Sequence, residues 1–375
     1  MKFSDMLLRE DFWNILEDTL NANTQNLGIM GEAKVVDKGG SCTLYANAQL
    51  NAIMSKNPSK AVRDYLKTEY TVGGSPLRKI MVKGYLWAST HMVSRFAQKG
   101  IEIQFDESID VDDILIYPCN KKIRIFDFKR GIVHTVLKKN FPDLYIVRET
   151  DFRINHQEDF VPQILNSGKN YYSEKIINGR PLARIYDASF VKKCQHDAVS
   201  KLISLTKENK LVKVSHYLAS LKQTCLDQLK SKPTFKDCQT VECLFNWLSE
   251  VGDEEKLSLV VSHGDFQPGN IWWDKDKKQI VIIDWETVKM RSRFYDHAAM
   301  YYNLRRCGML QHVVDSIKAS SHIARFTPQC SPEAVAKIVM AEELAYQTEE
   351  LISFPGEIGI KEYNKVLDTF KTLKL

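Results

Sequence analysis

The residues best suited to chemistry fall in two short runs. The first is Val260-Val261-Ser262-His263-Gly264-Asp265-Phe266-Gln267-Pro268-Gly269-Asn270-Ile271, and the second is Gln279-Ile280-Val281-Ile282-Ile283-Asp284-Trp285-Glu286. An apolar strand delivers His263-Gly264-Asp265 to a loop, which returns as a strand after Asn270. The polar turn Asp274-Lys275-Asp276-Lys277 folds Ile280–Ile283 back beside that strand. Asp284 therefore emerges at a strand end, near the loop that holds Asp265 and Asn270. Two carboxylates and an amide oxygen are hard ligands, the set Mg²⁺ takes when it also binds phosphates. His263 reads as a structural ring that pins the loop.

The elements around these runs change texture along the chain. Residues 1–110 read mostly as helix: Met6, Leu7, Trp13, Leu16 and Leu20 recur near helical spacing, and Ser59 to Tyr70 behaves similarly. Gly39-Gly40 and Gly73-Gly74 punctuate this region as turns. From about Asp112 three β-branched runs follow, Ile114 to Tyr117, Ile123 to Phe128 and Ile132 to Lys138, joined by short polar turns. They predict a three-stranded antiparallel meander. Asn140-Phe141-Pro142-Asp143 opens a helix carrying Arg148, Glu149 and Arg153, and Tyr171 to Ile177 reads as a further strand. Helical periodicity returns from Ala188 to Gly252, broken near Pro233. After Asp296 it runs to the end, with breaks near Pro328 and Pro355-Gly356.

His-Gly-Asp-x-x-x-x-Asn followed by Ile-Asp-Trp-Glu resembles the aminoglycoside phosphotransferase and choline kinase superfamily, which shares the protein-kinase-like fold. Protein kinases carry His-Arg-Asp-x-x-x-x-Asn and Asp-Phe-Gly at the matching places. Here Gly264 stands for the arginine and Trp285-Glu286 for Phe-Gly, as in the small-molecule kinases, and no Ala-Pro-Glu segment follows. The resemblance implies that Asp265 is the catalytic residue, that Asn270 and Asp284 hold the metal, and that Asp296 fixes the loop. It also assigns Thr135-Val136-Leu137-Lys138 to the strand whose lysine meets the nucleotide phosphates, with Glu149 on the next helix holding Lys138. Lys139, adjacent, is the other candidate. The turn Pro118 to Lys122 stands where a phosphate-covering loop belongs but has no glycine, which leaves contact to Asn120, Lys121 or Lys122. In Tyr172-Ser173-Glu174-Lys175-Ile176-Ile177-Asn178-Gly179, similar to the family's lobe-connecting strand, backbone groups of Glu174 and Ile176 meet the adenine edge.

Composition narrows the alternatives. The chain has 375 residues, 44% hydrophobic and 26% charged, ordinary globular values that suit two or three folding units. No run approaches the roughly 18 apolar residues of a membrane span, and charges interrupt the start where a signal peptide needs an apolar stretch. A soluble cytoplasmic protein with no membrane partner is expected. The eight cysteines are scattered without a C-x-x-C pair, which fits reduced thiols rather than zinc ligands. Residues 1–110 carry 13 basic and 13 acidic side chains, so the net charge of +5 lies in the rest of the chain. No basic block interleaved with aromatics points to nucleic acid.

The expected architecture is α+β and bilobal, protein-kinase-like. It comprises an N-terminal, mostly helical subdomain over 1–110 of unassigned role, a small antiparallel-sheet lobe over 111–178 that binds nucleotide, and a helical lobe over 179–375. The expected function is transfer of the γ-phosphoryl of ATP, with Mg²⁺, to a hydroxyl of a small molecule such as a sugar, amino alcohol or aminoglycoside-like compound. A catalytically silent kinase-shaped binding module and an atypical protein kinase are the alternatives. Glu342, Glu343, Glu349 and Glu350, with Tyr346 among them, could hold a cationic acceptor, but a solvated helix face explains the same charges and is the preferred reading. Neither the acceptor nor the oligomeric state is written in the motifs.

Overall fold

A computed structural model describes residues 3–37, 44–70, 75–206, 210–232, 234–235, 237–252, 254–320, 329–354 and 357–375. The Gly39-Gly40 and Gly73-Gly74 turns, Cys42 and the breaks at Pro233, Pro328 and Pro355-Gly356 lie outside the described residues. The chain is α+β and divides into two compact units, one of residues 1–191 with 272–281, the other of 192–271 with 282–375. The described cysteines carry no disulfide. Among the described residues no helix is long and apolar enough to cross a membrane.

The first unit is organised by a nine-stranded antiparallel sheet. Its strands are β1 (Lys34–Val36), β2 (Leu44–Asn47), β3 (Ala52–Ser55), β4 (Lys99–Glu102), β5 (Ile114–Pro118), β6 (Lys122–Asp127), β7 (Ile132–Leu137), β8 (Ile164–Gly168) and β9 (Tyr171–Lys175), in the order β1-β4-β2-β3-β5-β6-β7-β9-β8. The meander expected from the β-branched runs is β5-β6-β7, with Ile116 opposite Ile125 and Ile123 opposite Val136. Successive side chains on a strand point to opposite faces. Ile114 and Ile116 accordingly pack with Phe3, Met6, Phe12, Leu16 and Leu20 of the first two helices, Phe3–Arg9 and Phe12–Asn21. Leu115, between them, packs on the other face with Val62, Leu66 and Leu86 from helices Lys60–Tyr70 and Pro76–His91.

The N-terminal region is therefore more than the helical subdomain expected. It supplies four strands, and β3 pairs directly with β5, Ile53 opposite Ile116 and Met54 opposite Leu115. The boundary at residue 110 falls inside one sheet and one core. These strands are three or four residues long and β3 is buried at every position, so no alternation betrays them in the sequence. A second, three-stranded sheet, β10 (Gly179–Pro181), β13 (Ile271–Asp274) and β14 (Gln279–Ile282), completes this unit.

The second unit is helical around a small sheet, β11 (Lys210–Lys213), β12 (Lys256–Ser262) and β15 (Lys289–Ser292), with β12 in the centre. Helices Val214–Lys230, Cys238–Leu248, Arg293–Tyr301, Leu310–Ala319, Pro332–Ser353 and Glu357–Lys371 surround it. Helix Pro332–Ser353 begins with proline in its first turn behind Ser331, whose hydroxyl accepts from the Ala334 N–H at 3.1 Å. It then runs through the core, burying Val335, Val339, Met340 and Leu344 against Leu218, Leu248, Val313 and Phe370.

Candidate active site

In the second unit, β12 ends at Ser262 and the next three residues turn sharply. Gly264 has φ +87°, and a Cβ there would stand 2.6 Å from the Thr287 carbonyl oxygen. Only glycine takes this conformation without strain, and only glycine fits so close to another backbone. The loop is pinned from three directions. Asp296, on helix Arg293–Tyr301, accepts the N–H groups of His263 and Gly264, both at 3.0 Å. The Thr287 hydroxyl donates to the His263 carbonyl at 2.9 Å. The His263 ring is fully buried, its Nδ1 accepting the Asp265 N–H at 3.2 Å, so Nε2 carries hydrogen for the Ile283 carbonyl at 2.9 Å. With both nitrogens hydrogen-bonded, His263 ties the end of β12 to Ile283, the structural place expected of it.

This scaffold presents Asp265, which is half-buried. Its carboxylate accepts from Gln267 Nε2 at 3.0 and 3.1 Å and from Asn270 Nδ2 at 2.9 Å. Asn270 Nδ2 also donates to the Asp265 carbonyl at 2.9 Å, and the Asn270 carbonyl accepts the Ile283 N–H at 2.9 Å. Asn270 is thereby fixed one residue from the step into Asp284. Asp284 sits in the left-handed region, φ 68° and ψ 56°, ahead of a 3-10 turn, Trp285–Thr287, anchored by the fully buried Trp285. One carboxylate oxygen of Asp284 and one of Glu286 lie within 4.8 Å of each other. The donor types fit a hard divalent cation: the Asn270 amide nitrogen is turned to Asp265, so its oxygen is the atom suited to a ligand, and the Asp284 and Glu286 carboxylates stand together. Glu286 was not among the expected ligands; its place two residues after Asp284 was the available signal.

The first unit corrects the assignment of the lysine. Glu149, on helix Leu144–Asn155 and fully buried, does not meet Lys138. It accepts from Lys122 Nζ at 2.6 Å, from Arg153 Nη1 at 3.1 Å and from the Tyr172 hydroxyl at 3.0 Å. Arg153 bridges onward to Glu174. Two cations and two carboxylates thus form a neutral buried tetrad, as buried charges require. Lys138 goes elsewhere. Its Nζ bonds Glu10 and the Asn120 carbonyl, and it lies 3.5 Å from Met6 Sδ. Burial lowers its proton affinity and Glu10 opposes that shift.

Strand parity explains the exchange. Lys138 shares its face with Val136, which packs against the N-terminal helices, whereas Lys122 is opposite Leu137 and shares the other face with Phe126. Lys139 pairs with Asp18 at 3.0 Å. The turn expected to offer side chains to phosphates is drawn inward as well: Arg9 holds the Asn120 side chain, and Lys121, buried, stands 3.7 Å above the Tyr145 ring. The strand expected to meet adenine has its backbone groups engaged within the sheet. Glu174 lies in a two-sided ladder opposite Val133 and Ile164, and the Ile176 N–H is spent on the Gly131 carbonyl at 2.9 Å.

The acidic helix is not a solvated face. Glu342 and Glu343 are each 1% exposed. Glu342 accepts from the Ser292 N–H and hydroxyl, both at 2.6 Å, and from the Tyr217 hydroxyl at 2.7 Å. Glu343 accepts from Arg305 Nη1, from the Tyr295 hydroxyl at 3.1 Å and from Gln347 at 2.6 Å. Burial raises the proton affinity of both carboxylates, and these donors oppose it. Arg305, absent from the expected residues, lies 3.4 Å from Asp265 Oδ1 through its Nε.

Comparison with known proteins agrees with the motifs. Residues 196–311 match the Phosphotransferase enzyme family, a segment that includes both His263-Gly264-Asp265 and Asp284-Trp285-Glu286. This bears out the resemblance to the phosphotransferase superfamily. No curated protein matches the sequence. Similar solved structures include an ADP-bound aminoglycoside phosphotransferase, APH(2'')-Ib, at 14% identity and TM-score 0.43, with 67% of this chain and 90% of that chain covered. An ethanolamine kinase of Plasmodium vivax is similar at 11% identity and TM-score 0.45, covering 85% and 96%. A choline kinase of Cryptosporidium parvum Iowa II is similar at 14% identity and TM-score 0.41, covering 71% and 91%.

Proposed function

We propose that this chain is a phosphotransferase that moves the γ-phosphoryl of ATP to a hydroxyl of a small molecule. The observation that carries the reading is the Asp265 carboxylate, held by Gln267 and Asn270 on a loop that Asp296 fixes through two backbone N–H groups. Such a carboxylate orients the acceptor hydroxyl and takes its proton as the new O–P bond forms. Asn270, Asp284 and Glu286 are the residues suited to hold Mg²⁺, which, when bound, neutralises charge on the transferring phosphoryl group. Lys122, rather than Lys138, is the lysine placed by Glu149, and we assign it the phosphate charge. Positioning and electrostatics supply nearly all of the catalysis in this reaction class.

The test is a thermal-shift titration. ATP with Mg²⁺ should stabilise the protein well beyond ATP alone, because stabilisation by a bound ligand grows with the logarithm of its concentration over Kd. Asp284→Ala should erase the difference; alanine at φ 68° adds strain, so the unliganded variant should melt somewhat lower than the parent but still cooperatively. Equal shifts with and without Mg²⁺ would contradict the assignment of the metal ligands.

A further inference from the structure

The acceptor's chemistry can be narrowed, resting on the phosphotransferase reading, from what stands beside Asp265. A cationic acceptor needs carboxylates and aromatic faces near the hydroxyl that Asp265 would engage. The helix Pro332–Ser353 carries such groups, but the protein's own donors occupy Glu342, Glu343 and Glu349. The Arg305 guanidinium lies 3.4 Å from the Tyr346 ring centroid and 5.1 Å from that of Tyr295. Its Nη1 bonds Glu343, and its Nε faces Asp265. Glu342 is spent on Ser292 and Tyr217, and Glu349 on Lys289. A cation brought to Asp265 would meet a fixed guanidinium within a few ångströms, in surroundings where like charges repel strongly. The carboxylate beside that Nε is Asp265 itself, which must face the hydroxyl.

We infer that the acceptor is an uncharged hydroxyl compound, a polyol or neutral sugar, and that Arg305 is the residue that selects against amines. Arg305 has fixed geometry. Glu343 behind it is 1% exposed, Tyr346 lies under its plane, and the guanidinium cannot lose its charge. It therefore occupies the place of a bound cation permanently.

The experiment measures ADP release, with Mg²⁺-ATP, for matched acceptors that differ in charge: glucose against glucosamine, and glycerol against ethanolamine and choline. The expected result is kcat/KM at least tenfold higher for the uncharged member of the productive pair. The paired variant Arg305→Gln with Glu343→Gln, which removes both charges and leaves no buried ion alone, should bring that ratio towards one; Arg305→Lys, which keeps the charge, should retain the preference. Melting curves establish that each variant is folded, and if the double variant does not fold the Arg305→Lys result and the parent ratio decide. Preferred turnover of the amines overturns the inference and leaves the phosphotransferase reading intact. Turnover of neither class overturns it too, and if Mg²⁺-dependent ATP binding is also missing, the phosphotransferase reading falls with it.

Discussion

Two of this protein's polar clusters are assembled in opposite ways. In the helical unit, Asp265 is held by Gln267 and Asn270, partners two and five residues away. In the sheet unit, Glu149 is held by Lys122 and Tyr172, 27 and 23 residues away. The first cluster is a matter of spacing along one loop. The second is a matter of sheet register and strand face, which spacing does not express. Chemistry built locally can be read from a sequence; chemistry built across a sheet needs the fold first.

The largest effect should come from the local cluster. Asp265→Asn preserves shape and polarity but cannot take a proton. Turnover should fall by about 10²–10⁴, the range of a general base. Mg²⁺-ATP binding, followed by calorimetry, should stay within a few-fold. A variant that keeps full turnover would remove Asp265 from the chemistry, and no turnover in parent and variant alike, with ATP bound, would favour a silent binding module.

The long-range cluster makes the next prediction, and a contrast between two lysines tests it. Lys122→Met should lower turnover by about 10²–10³, the loss typical of a removed electrostatic stabiliser. Arg153 and the Tyr172 hydroxyl still hold Glu149, but two buried carboxylates are left on one cation, so stability should fall too, by about 3 kcal/mol, and turnover is read per folded molecule. Lys138→Met leaves Glu10 buried beside Arg9 alone, which should cost about 3 kcal/mol of stability, as for other broken buried pairs. Its turnover per folded molecule should remain within a few-fold. Denaturant melts and kcat for the two variants give the answer, and the reverse pattern would return the phosphate role to Lys138.

The same contrast explains how much was legible. The Asp265 loop, the Asp284 strand end, the meander and the helix carrying Glu149 all follow from local pattern. The choice of lysine does not follow from a motif, although strand parity contained it: Lys138 is two residues from Val136 and must share its face. The N-terminal strands were hidden because β1 to β4 are short and lack alternation. Glu343 was visible as a candidate, but its pairing with Arg305 was hidden because it joins a helix to a turn 38 residues away.

Gly264 shows the tight side of the local cluster and ranks third. Alanine there would need φ near +87° and would press a Cβ to 2.6 Å from the Thr287 carbonyl, a backbone atom that cannot swing aside. Gly264→Ala should cost about 1–3 kcal/mol in strain alone, and turnover should fall more than nucleotide affinity because Asp265 is the next residue. An unchanged melting point and unchanged kcat would show that the loop has slack the structure does not reveal.

The smallest effect is a pH dependence in the sheet unit, and its sign can be worked out. His134 on β7 pairs with Ser173 on β9, its Nδ1 2.8 Å from the Ser173 hydroxyl. Burial lowers its proton affinity from the usual 6.5; Asp127 opposes that shift and Arg130 adds to it. Near pH 6.5 the unfolded chain therefore binds more protons at this site than the folded one, so stability rises with pH and is lost as pH falls below 6.5. His134→Gln can keep a hydrogen bond to Ser173 but has nothing to titrate. Melting points measured from pH 8 to pH 5 should fall less steeply in this variant, by about one or two degrees across the range, on the scale that small stability changes produce. The neutral tetrad of Lys122, Arg153, Glu149 and Glu174 lies in the same sheet unit and is common to both proteins, so it cancels in the difference. Parallel curves for parent and variant would mean that His134 takes its proton as readily in the fold as outside it, and would remove the one pH-sensitive contact assigned to the β7–β9 pairing.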